Sequence, residues 1–363
     1  MKSYSEKISL LRPEGGARLF SLLKSFGIKC DEIRLEEKKF FDVYDIKLSS
    51  GVRSSRIEKV LVDIGISLSA LSKPVGYPVL KDGIYRIEVQ KREFESPPLS
   101  HVIGDFSKNY YAPISIGMND LGDYFHIDLN SIPNLLIGGV PGSGKSMLLH
   151  SMIISLISSN ADLYLVDPKM VEFTSYENIG CVKGIYNSVE ETEVAIESIR
   201  QSMEARFKLL RKNSCRNVIE YNKKNKRKLR PIILVVDEWA DIVLQSSGIQ
   251  KLLCTVAQKG RAAGISIILA TQRPSAKVIS GLVKANFPGR IAMQVASATD
   301  SRIILDCKGA EDLLEVGTGL YLDGRSAKPK MFRAPLLGDI EDEIGIFNVP
   351  KRESESFWKR IFS

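Results

Sequence analysis

One eight-residue stretch of this chain combines glycines, a lysine and a serine in the order that phosphate binding requires. Gly139–Ser146 reads GVPGSGKS and fits the pattern G-x-x-x-x-G-K-[ST] at every required position. Glycines at these spacings let the backbone curl, so that its N–H groups point at phosphate oxygens with a helix N-terminus behind them. The pattern predicts that Lys145 reaches the β- and γ-phosphates of a nucleotide and that the Ser146 hydroxyl holds Mg²⁺.

The flanking residues predict the strand–loop–helix context that this motif needs. Asn134–Gly138 reads as a buried strand, and the run from Met147 to Ser158 reads as a helix. Eight positions in register between such flanks disfavour a chance glycine-rich turn. The predicted nucleotide-binding residues are Gly139, Val140, Pro141, Gly142, Ser143, Gly144, Lys145, Ser146 and Met147.

Two carboxylates follow another apolar strand further along the chain. Ile232–Val236 runs directly into Asp237 and Glu238, an arrangement typical of a site that hydrolyses a nucleoside triphosphate. We expect Asp237 to contact Mg²⁺ or its bound water, and Glu238 to act as general base on the attacking water. Gln272, at the end of the next apolar strand, is placed to sense the γ-phosphate. With Lys145, these residues form the predicted catalytic set within one chain.

Short apolar strands that alternate with helices must position these side chains. Strands rich in Ile, Val and Leu and apolar on both faces are typical of a buried parallel sheet, whose ligands bind beyond the carboxyl ends of the strands. A long helix fills much of 188–212, with Ser188 and Glu191 as its capping box. The predicted strands are Leu135–Ile137, Leu163–Val166, Ile232–Val236, Ile265–Ala270 and Ile291–Val295. The predicted fold class is α/β, a RecA-like P-loop NTPase with a central parallel sheet.

The chain divides into three predicted segments. Residues 1–112 read as a small α+β domain, with helical patterns at Leu19–Phe26 and Arg56–Leu71 and strand patterns at Phe40–Leu48 and Gly83–Gln90. Residues 113–340 hold the ATPase motifs, and residues 341–363 read as a C-terminal tail. We therefore expect the small domain to serve ring assembly or docking and the second segment to be the motor.

Composition narrows the class of protein further. The chain has 363 residues, and its apolar and charged fractions of 44% and 26% are those of a globular protein. No apolar run is long enough to cross a bilayer, and the N-terminus lacks an apolar signal core. These features predict a cytoplasmic protein without membrane insertion. The formal net charge of +8 favours a polyanionic partner.

The segment Lys223–Arg230 reads KKNKRKLR and is the most basic part of the chain. Such a run is equally compatible with a solvated surface turn and with a surface that faces DNA. Both interpretations stay open from the sequence.

Further motifs resemble the motor domain of the FtsK/SpoIIIE family of DNA translocases over about residues 113–340. The most specific are Ala257–Ile265 (AQKGRAAGI), Ala270–Pro274 (ATQRP) and Asp300–Asp306 (DSRIILD). The others are Pro113–Gly117, Ile132–Leu136, Val166–Lys169, Met203–Phe207, Arg216-Asn217 and Tyr221-Asn222. The N-terminal segment, with Gly51-Val52 followed by Arg56-Ile57, resembles the small subdomain that precedes that motor.

This resemblance implies roles that the residues alone do not. Arg261 corresponds to the family's arginine finger, which would reach the ATP of a neighbouring subunit and stabilise charge on the phosphates. Arg273, Lys284 and Arg302 match pore-loop positions that grip the DNA backbone. The implied cofactors are ATP and Mg²⁺, and the implied assembly is a hexameric ring around double-stranded DNA.

The chain also departs from the family pattern. Ala298 stands where relatives have another basic pore residue, and only about 20 residues follow the motor, too few for the winged-helix module of cell-division members. These departures favour a translocase of a plasmid, phage or other mobile element. Two alternatives share the same ATPase residues: a helicase that unwinds DNA for such an element, and an ATPase that couples DNA to a transfer or packaging machine through its N-terminal domain.

Overall fold

The computed structural model describes residues 13–68, 70, 75–79, 83–91, 95–103, 106, 110–326 and 328–345. These residues form two compact units. The first runs to Glu95 and includes the turn Asn119–Asp123; the second comprises Ser96–Met118 and the chain from Tyr124 onward. Of the predicted C-terminal tail, residues 346–363 lie outside the described residues.

The first unit is a four-stranded antiparallel sheet with helices packed on it. Its strands are β1 (Cys30–Glu37), β2 (Phe41–Leu48), β3 (Val75–Val79) and β4 (Ile84–Gln90), in the order β1-β2-β4-β3. Its helices are α1 (Pro13–Ser25), α2 (Ser55–Glu58) and α3 (Leu61–Ser67). Leu23, Ile46, Ile64 and Ile87 are fully buried in its core. The single helix predicted for Arg56–Leu71 is wrong, because the helical hydrogen bonding breaks between α2 and α3.

The second unit is built on a ten-stranded mixed sheet. Its strands are β5 (Pro113–Asn119), β6 (Tyr124–Asp128), β7 (Asn134–Gly138), β8 (Asp162–Val166), β9 (Val182–Tyr186), β10 (Ile232–Val236), β11 (Ile265–Thr271), β12 (Gly289–Met293), β13 (Thr318–Leu322) and β14 (Lys330–Arg333). The order is β6-β5-β14-β13-β12-β7-β11-β10-β8-β9. Strands β12, β7, β11, β10, β8 and β9 pair in parallel. The predicted parallel sheet is confirmed for five of these strands, whereas β9 was not predicted.

The remaining strands extend the sheet in a way that the sequence did not predict. β13 pairs antiparallel with β12 and β14, and β5 pairs antiparallel with β6. These strands contain glycines and charged residues, so they lack the continuous apolar pattern by which the central strands were predicted. The strand predicted at Ile291–Val295 begins two residues earlier and ends at Met293.

Helices cover both faces of this sheet. They are α4 (Leu99–Ile103), α5 (Lys145–Ser158), α6 (Val189–Lys212), α7 (Val218–Lys224), α8 (Trp239–Val243), α9 (Ser247–Lys259), α10 (Gly281–Asn286), α11 (Ala298–Leu305) and α12 (Ile340–Gly345). Alternate residues of β10 enter opposite cores: Leu234 and Val236 pack with α6, α8 and α9, whereas Ile233 and Val235 pack with α5. The predicted capping box of α6 is confirmed in one of its two bonds: the Ser188 hydroxyl accepts from the backbone N–H of Glu191, whereas the Glu191 carboxylate accepts from the N–H of Asn187 and not from that of Ser188.

Residues 96–112, which the sequence interpretation placed before the motor, pack within the second unit. Leu99, Ile103 and Ala112 share a buried core with Ile114 of β5. Among the described residues, no helix is long and apolar enough to cross a membrane.

The six parallel strands give the second unit two chemically distinct edges. We call the end at which these strands finish the carboxyl edge, and the end at which they begin the amino edge. The phosphate-loop motif follows β7, and Asp237 follows β10, so both lie at the carboxyl edge. The turn Gly260–Ala263 precedes β11 and therefore lies at the amino edge.

Candidate functional site

The loop Gly139–Ser146 connects β7 to α5 in a conformation that depends on its glycines. Gly142 and Gly144 have φ angles of 79° and 96°, in the left-handed region that favours glycine. A side chain at Gly144 would also place its Cβ 2.8 Å from the backbone nitrogen of Gly317. That same nitrogen donates to the carbonyl of Ser143 at 2.9 Å. The segment before β13 thus supports the loop, a contact that no sequence motif indicated.

The loop has the features of a phosphate cradle. It ends at the N-terminus of α5, a 14-residue helix whose first N–H groups and dipole favour an anion. The Ser143 hydroxyl oxygen is buried and has no hydrogen-bond partner among the described residues. A buried polar atom without a partner costs free energy unless a ligand satisfies it. These observations fit a bound nucleotide phosphate.

Lys145 and Asp237 form a buried ion pair at the centre of the site. The Lys145 Nζ donates to Asp237 Oδ1 at 2.6 Å and to the Asp237 carbonyl at 3.0 Å. The two side chains are only 3% and 2% exposed. Removing one partner of such a pair costs about 3–5 kcal/mol, because the other charge is left desolvated. The pair brings together two residues that lie far apart in the sequence and that were both predicted as catalytic.

The Ser146 hydroxyl donates to Glu172, a residue that the sequence interpretation missed. Ser146 Oγ lies 2.9 Å from Glu172 Oε1, and His150 Nε2 lies 3.4 Å from Glu172 Oε2. His150 in turn shares a hydrogen bond of 2.9 Å with the Tyr176 hydroxyl. The contact with His150 and the hydroxyl of Ser146 lower the pKa of Glu172 despite partial burial. Glu172 is therefore an ionised acceptor beside the predicted Mg²⁺ ligand.

Asp167 holds the loop that presents Glu172. Its buried carboxylate accepts from the backbone N–H groups of Glu172 at 2.9 Å and Phe173 at 3.0 Å. Asp167 thus stabilises the conformation of the chain after β8. Among the described residues, its carboxylate makes no hydrogen bond to the phosphate loop. Glu172 carries no motif of its own, and only its position five residues after a strand-end aspartate could have drawn attention to it.

Glu238 is buried and anchored to the end of the neighbouring strand β11. Its Oε1 accepts from the Thr271 hydroxyl at 2.6 Å and from the Ala240 N–H at 3.3 Å. Its Oε2 accepts from the backbone N–H of Gln272 at 2.8 Å. The Thr271 oxygen also accepts from the Arg273 N–H at 3.1 Å. The predicted general base is therefore coupled to the strand that carries Gln272, through a threonine that sequence reasoning had passed over.

The residues present fit a Mg²⁺ ion held together with a nucleotide. Ser146 and Asp237 supply hydroxyl and carboxylate oxygens, the ligand type that Mg²⁺ prefers, and such ions usually keep few protein ligands beside phosphate oxygens. In the part of the chain that the structure describes, no group of three or more His, Cys, Asp or Glu residues is placed to hold a metal ion.

Arg261 lies at the amino edge, away from the phosphate loop of its own chain. It is exposed in the turn Gly260–Ala263, and its Nε donates to the carbonyl of Asn130 at 3.1 Å. β11 follows this turn with seven residues, which span about 23 Å at roughly 3.3 Å per residue. The far end of β11 pairs with Gly138, next to the phosphate loop. Arg261 therefore cannot reach the site of its own chain.

The three predicted DNA-contacting residues do not form one cluster. Arg273 is exposed after β11 at the carboxyl edge. Lys284 precedes β12 at the amino edge and donates to the carbonyl of Arg302 at 3.4 Å. The structure thus brings Lys284 and Arg302 together and leaves Arg273 on a separate loop.

Asp306 pairs with Lys284 and with a further cation, Arg290. Partial burial raises the pKa of this carboxyl group, but the hydrogen bonds from Lys284 and Arg290 outweigh it and leave the pKa lowered. Lys284 is therefore a charge already paired within its own chain, unlike Arg273 and Arg302.

A three-layer α/β unit with a phosphate loop after its central strand, a lysine–aspartate pair and a buried glutamate defines a P-loop ATPase. Residues 107–276 match the model of the FtsK/SpoIIIE family. This part of the chain is therefore similar to the FtsK/SpoIIIE family, as its motifs predicted.

Curated relatives extend this similarity over nearly the whole chain. A protein of Staphylococcus epidermidis named DNA translocase FtsK is 32% identical over 95% of this chain, and one of Halalkalibacterium halodurans with the same name is 33% identical over 90%. The chain spans about half the length of these relatives, 46% and 44% respectively.

Solved structures share the fold. The pCW3 conjugation coupling protein TcpA, in a monomer form with ATPγS, aligns with a TM-score of 0.67 and 26% identity, over 92% of this chain and 99% of that one. The cytoplasmic domain of the type VII secretion ATPase EccC from Thermomonospora curvata aligns with a TM-score of 0.62 over 71% of this chain and 35% of that one. At 19% identity, the second likeness concerns the fold alone.

Proposed function

We propose that this protein is an ATP-driven motor that moves along double-stranded DNA as a hexameric ring. The observation that carries the proposal is the buried Lys145–Asp237 pair and the anchored Glu238 beside a phosphate loop, in a chain whose curated relatives, over 90–95% of its length, are named DNA translocases. The cofactors are ATP and Mg²⁺, and the setting is cytoplasmic, in a plasmid, phage or other mobile element.

Each residue of the site has a defined task in this proposal. Mg²⁺ supplies charge neutralisation on the phosphates when bound, and Ser146 and Asp237 would hold it. Lys145 exchanges part of its contact with Asp237 for phosphate oxygens. Glu238 accepts the proton of the attacking water, and Gln272 senses the γ-phosphate from the adjacent strand.

The position of Arg261 supports the proposed ring. A stabilising arginine at the edge opposite to its own site can act only on a neighbouring copy, which supports a head-to-tail arrangement in which the amino edge of one subunit meets the carboxyl edge of the next. The number six comes from the resemblance to the family. Arg273, Lys284 and Arg302 then contact DNA phosphates without reading sequence.

Coupling of DNA to a transfer machine is a second candidate function. It is favoured by the match to the conjugation coupling protein TcpA, which covers 99% of that chain and so includes both units, whereas the FtsK relatives are covered only by about half. In this case the first unit docks a partner protein. A third candidate, a helicase, shares every ATPase residue.

Triplex displacement on linear duplex DNA tests the proposal. We expect the wild-type chain to hydrolyse ATP faster with duplex DNA and to displace a third strand, without separating the duplex. A Glu238→Gln variant serves as the control that binds nucleotide but does not hydrolyse it. Separation of the duplex would favour the helicase. Hydrolysis without displacement, combined with binding of the first unit to a relaxase or channel protein, would favour coupling.

A further inference from the structure

The positive charge of this protein is concentrated in one short region. Residues 208–230, here called the basic lobe, contain ten lysines and arginines and the single acidic residue Glu220, a formal charge of +9. The whole chain sums to +8, so the remaining 340 residues are close to neutral. The preceding part of α6 is acidic, and there Arg200 pairs with Glu197 and Glu204.

The basic lobe is an ordered scaffold. It consists of the last part of α6, the short helix α7 and the connection to β10, around a small core of Leu210, Cys215 and Tyr221. The side chain of Asn222 closes the connection by accepting from the N–H of Leu229 at 2.8 Å and donating to its carbonyl at 2.9 Å. These two bonds tie the end of the segment KKNKRKLR back to α7.

A half-buried arginine of α6, just before the lobe, ties it to the body of the second unit. Arg206 donates to the carbonyl of Arg230 and to the carbonyl of Ala263, both at 2.7 Å. The hydroxyl of Tyr111 donates to the Leu229 carbonyl at 3.0 Å. Ala263 belongs to the turn that carries Arg261, so the lobe is fastened to the amino edge of the sheet.

Most cations of the lobe are exposed and unpaired. Within the described residues, seven of them have no side-chain hydrogen bond or ion pair: Lys208, Arg211, Lys212, Lys223, Lys226, Arg227 and Arg230. The helix dipole favours Arg211 and Lys212 in the last turn of α6, but its influence ends within that turn. Holding the other like charges close together on a fixed scaffold is unfavourable unless a polyanion neutralises them.

The chemistry of the lobe selects among polyanions. Membrane-surface helices combine basic residues with exposed apolar ones, yet the lobe has no exposed large hydrophobic side chain. Single-stranded nucleic acid requires exposed aromatic rings for base stacking, but the only aromatic residue of the lobe, Tyr221, is buried. A surface of unpaired cations on a rigid scaffold suits the regularly spaced phosphates of a duplex.

We propose that the basic lobe is a second DNA-binding surface, outside the predicted pore positions, which contacts the phosphate backbone of duplex DNA independently of nucleotide. The inference rests on the proposed function for the choice of DNA as partner. It differs from that function in its residues and in its independence from ATP hydrolysis. It also assigns a role to the segment 223–230, for which the sequence left two interpretations open.

Charge reversal in the lobe tests this assignment. Duplex binding by the full chain is followed by fluorescence anisotropy without nucleotide, over a series of salt concentrations. The variant Lys208→Glu/Lys226→Glu/Arg227→Glu should bind at least about tenfold more weakly, and its log–log salt slope should fall by about 2–3, since each lost duplex contact accounts for roughly 0.9. The variant with glutamine at the same three positions should also bind duplex DNA more weakly, but with a smaller loss of affinity. It is the control for misfolding caused by the reversed charges.

A matched variant, Lys29→Glu/Lys47→Glu/Arg53→Glu, makes the same change of charge on exposed residues of the first unit. Equal losses of affinity in both variants, or an unchanged affinity in the lobe variant, would contradict the proposal that the lobe is a specific DNA-binding surface. Neither result would contradict the proposed motor function. A wild-type chain that binds no duplex would instead overturn the proposed function itself. Lobe-dependent binding to phosphatidylserine vesicles with unchanged duplex binding would assign the surface to a membrane and overturn the proposal.

Discussion

The two edges of the parallel strands in the second unit differ in how their charges are satisfied. At the carboxyl edge, Lys145, Asp237 and Glu238 are buried, and each is hydrogen-bonded within the chain. At the amino edge, Arg261 is exposed and the basic lobe holds unpaired cations. The same strands therefore carry buried, hydrogen-bonded catalytic candidates at one end and exposed, unpaired cations at the other.

This difference separates chemistry from assembly. A buried network keeps reactive groups in position and excludes water, which strengthens every electrostatic interaction within it. An exposed cation gains little by itself and acts when a phosphate or a partner approaches it. We infer that the carboxyl edge holds the hydrolysis site and that the amino edge presents exposed cations to partners, namely the next subunit and DNA.

The largest expected effect concerns Arg261. Arg261→Ala should lower the rate of ATP hydrolysis by about a thousandfold, the typical contribution of an arginine finger. A mixture with Glu238→Gln chains should recover activity, because an intact site then meets an intact arginine across an interface. Chains that carry both substitutions are the control and should stay inactive. If mixing does not restore ATP hydrolysis, Arg261 does not act on the site of a neighbouring subunit.

Lys145→Ala should lower the rate of ATP hydrolysis by at least about a hundredfold. It should also lower the free energy of unfolding by about 3–5 kcal/mol. The second effect arises because Asp237 loses its buried partner. Adding Asp237→Asn should recover most of the stability but none of the activity, as measured by urea unfolding and phosphate release. If Lys145→Ala is as stable as the wild type, water must solvate the Asp237 carboxylate in the variant, in contrast to its burial in the structure.

Thr271→Val removes the hydroxyl that holds Glu238 and keeps the shape of the side chain. We expect a loss of stability of about 1–3 kcal/mol, together with a reduced rate of hydrolysis, because Glu238 is less firmly oriented. ATPγS affinity should stay close to the wild-type value. Thr255→Val, which changes an exposed threonine bonded to a helix carbonyl, is the matched control and should have little effect on either measurement.

The smallest effect concerns Glu220, the one carboxylate of the basic lobe. The N–H of Arg216 and the ammonium of Lys224 lower its pKa from 4.5 to about 2. A lowered pKa in the folded state stabilises the protein above pH 4.5, and this contribution is lost as the pH falls from 4.5 towards 2. Glu220→Gln should therefore lower Tm slightly at pH 7, and the difference from wild type should shrink in acid. Glu177→Gln, at an exposed glutamate of the same unit, is the control.

The nucleotide site was largely predictable because its parts are local. The strand Asn134–Gly138 and the strand Ile232–Val236 have the predicted bounds, since an apolar run ended by polar residues marks a buried strand on its own. The contacts of Glu172 with Ser146 and of Thr271 with Glu238 were not predictable. They join residues 26 and 33 positions apart, and no local pattern encodes which strand ends become neighbours.

The sequence by itself determined the phosphate loop, the carboxylates after β10, the family resemblance and the concentration of charge in residues 208–230. These are properties of residue order, which steric rules and hydrophobic periodicity make readable without a fold. The tertiary structure alone decided that Lys145 pairs with Asp237, that Glu172 reaches Ser146, and that Arg261 lies at the edge opposite its own site. The order in which the parallel strands assemble sets these distances, and that order depends on packing across the whole sheet.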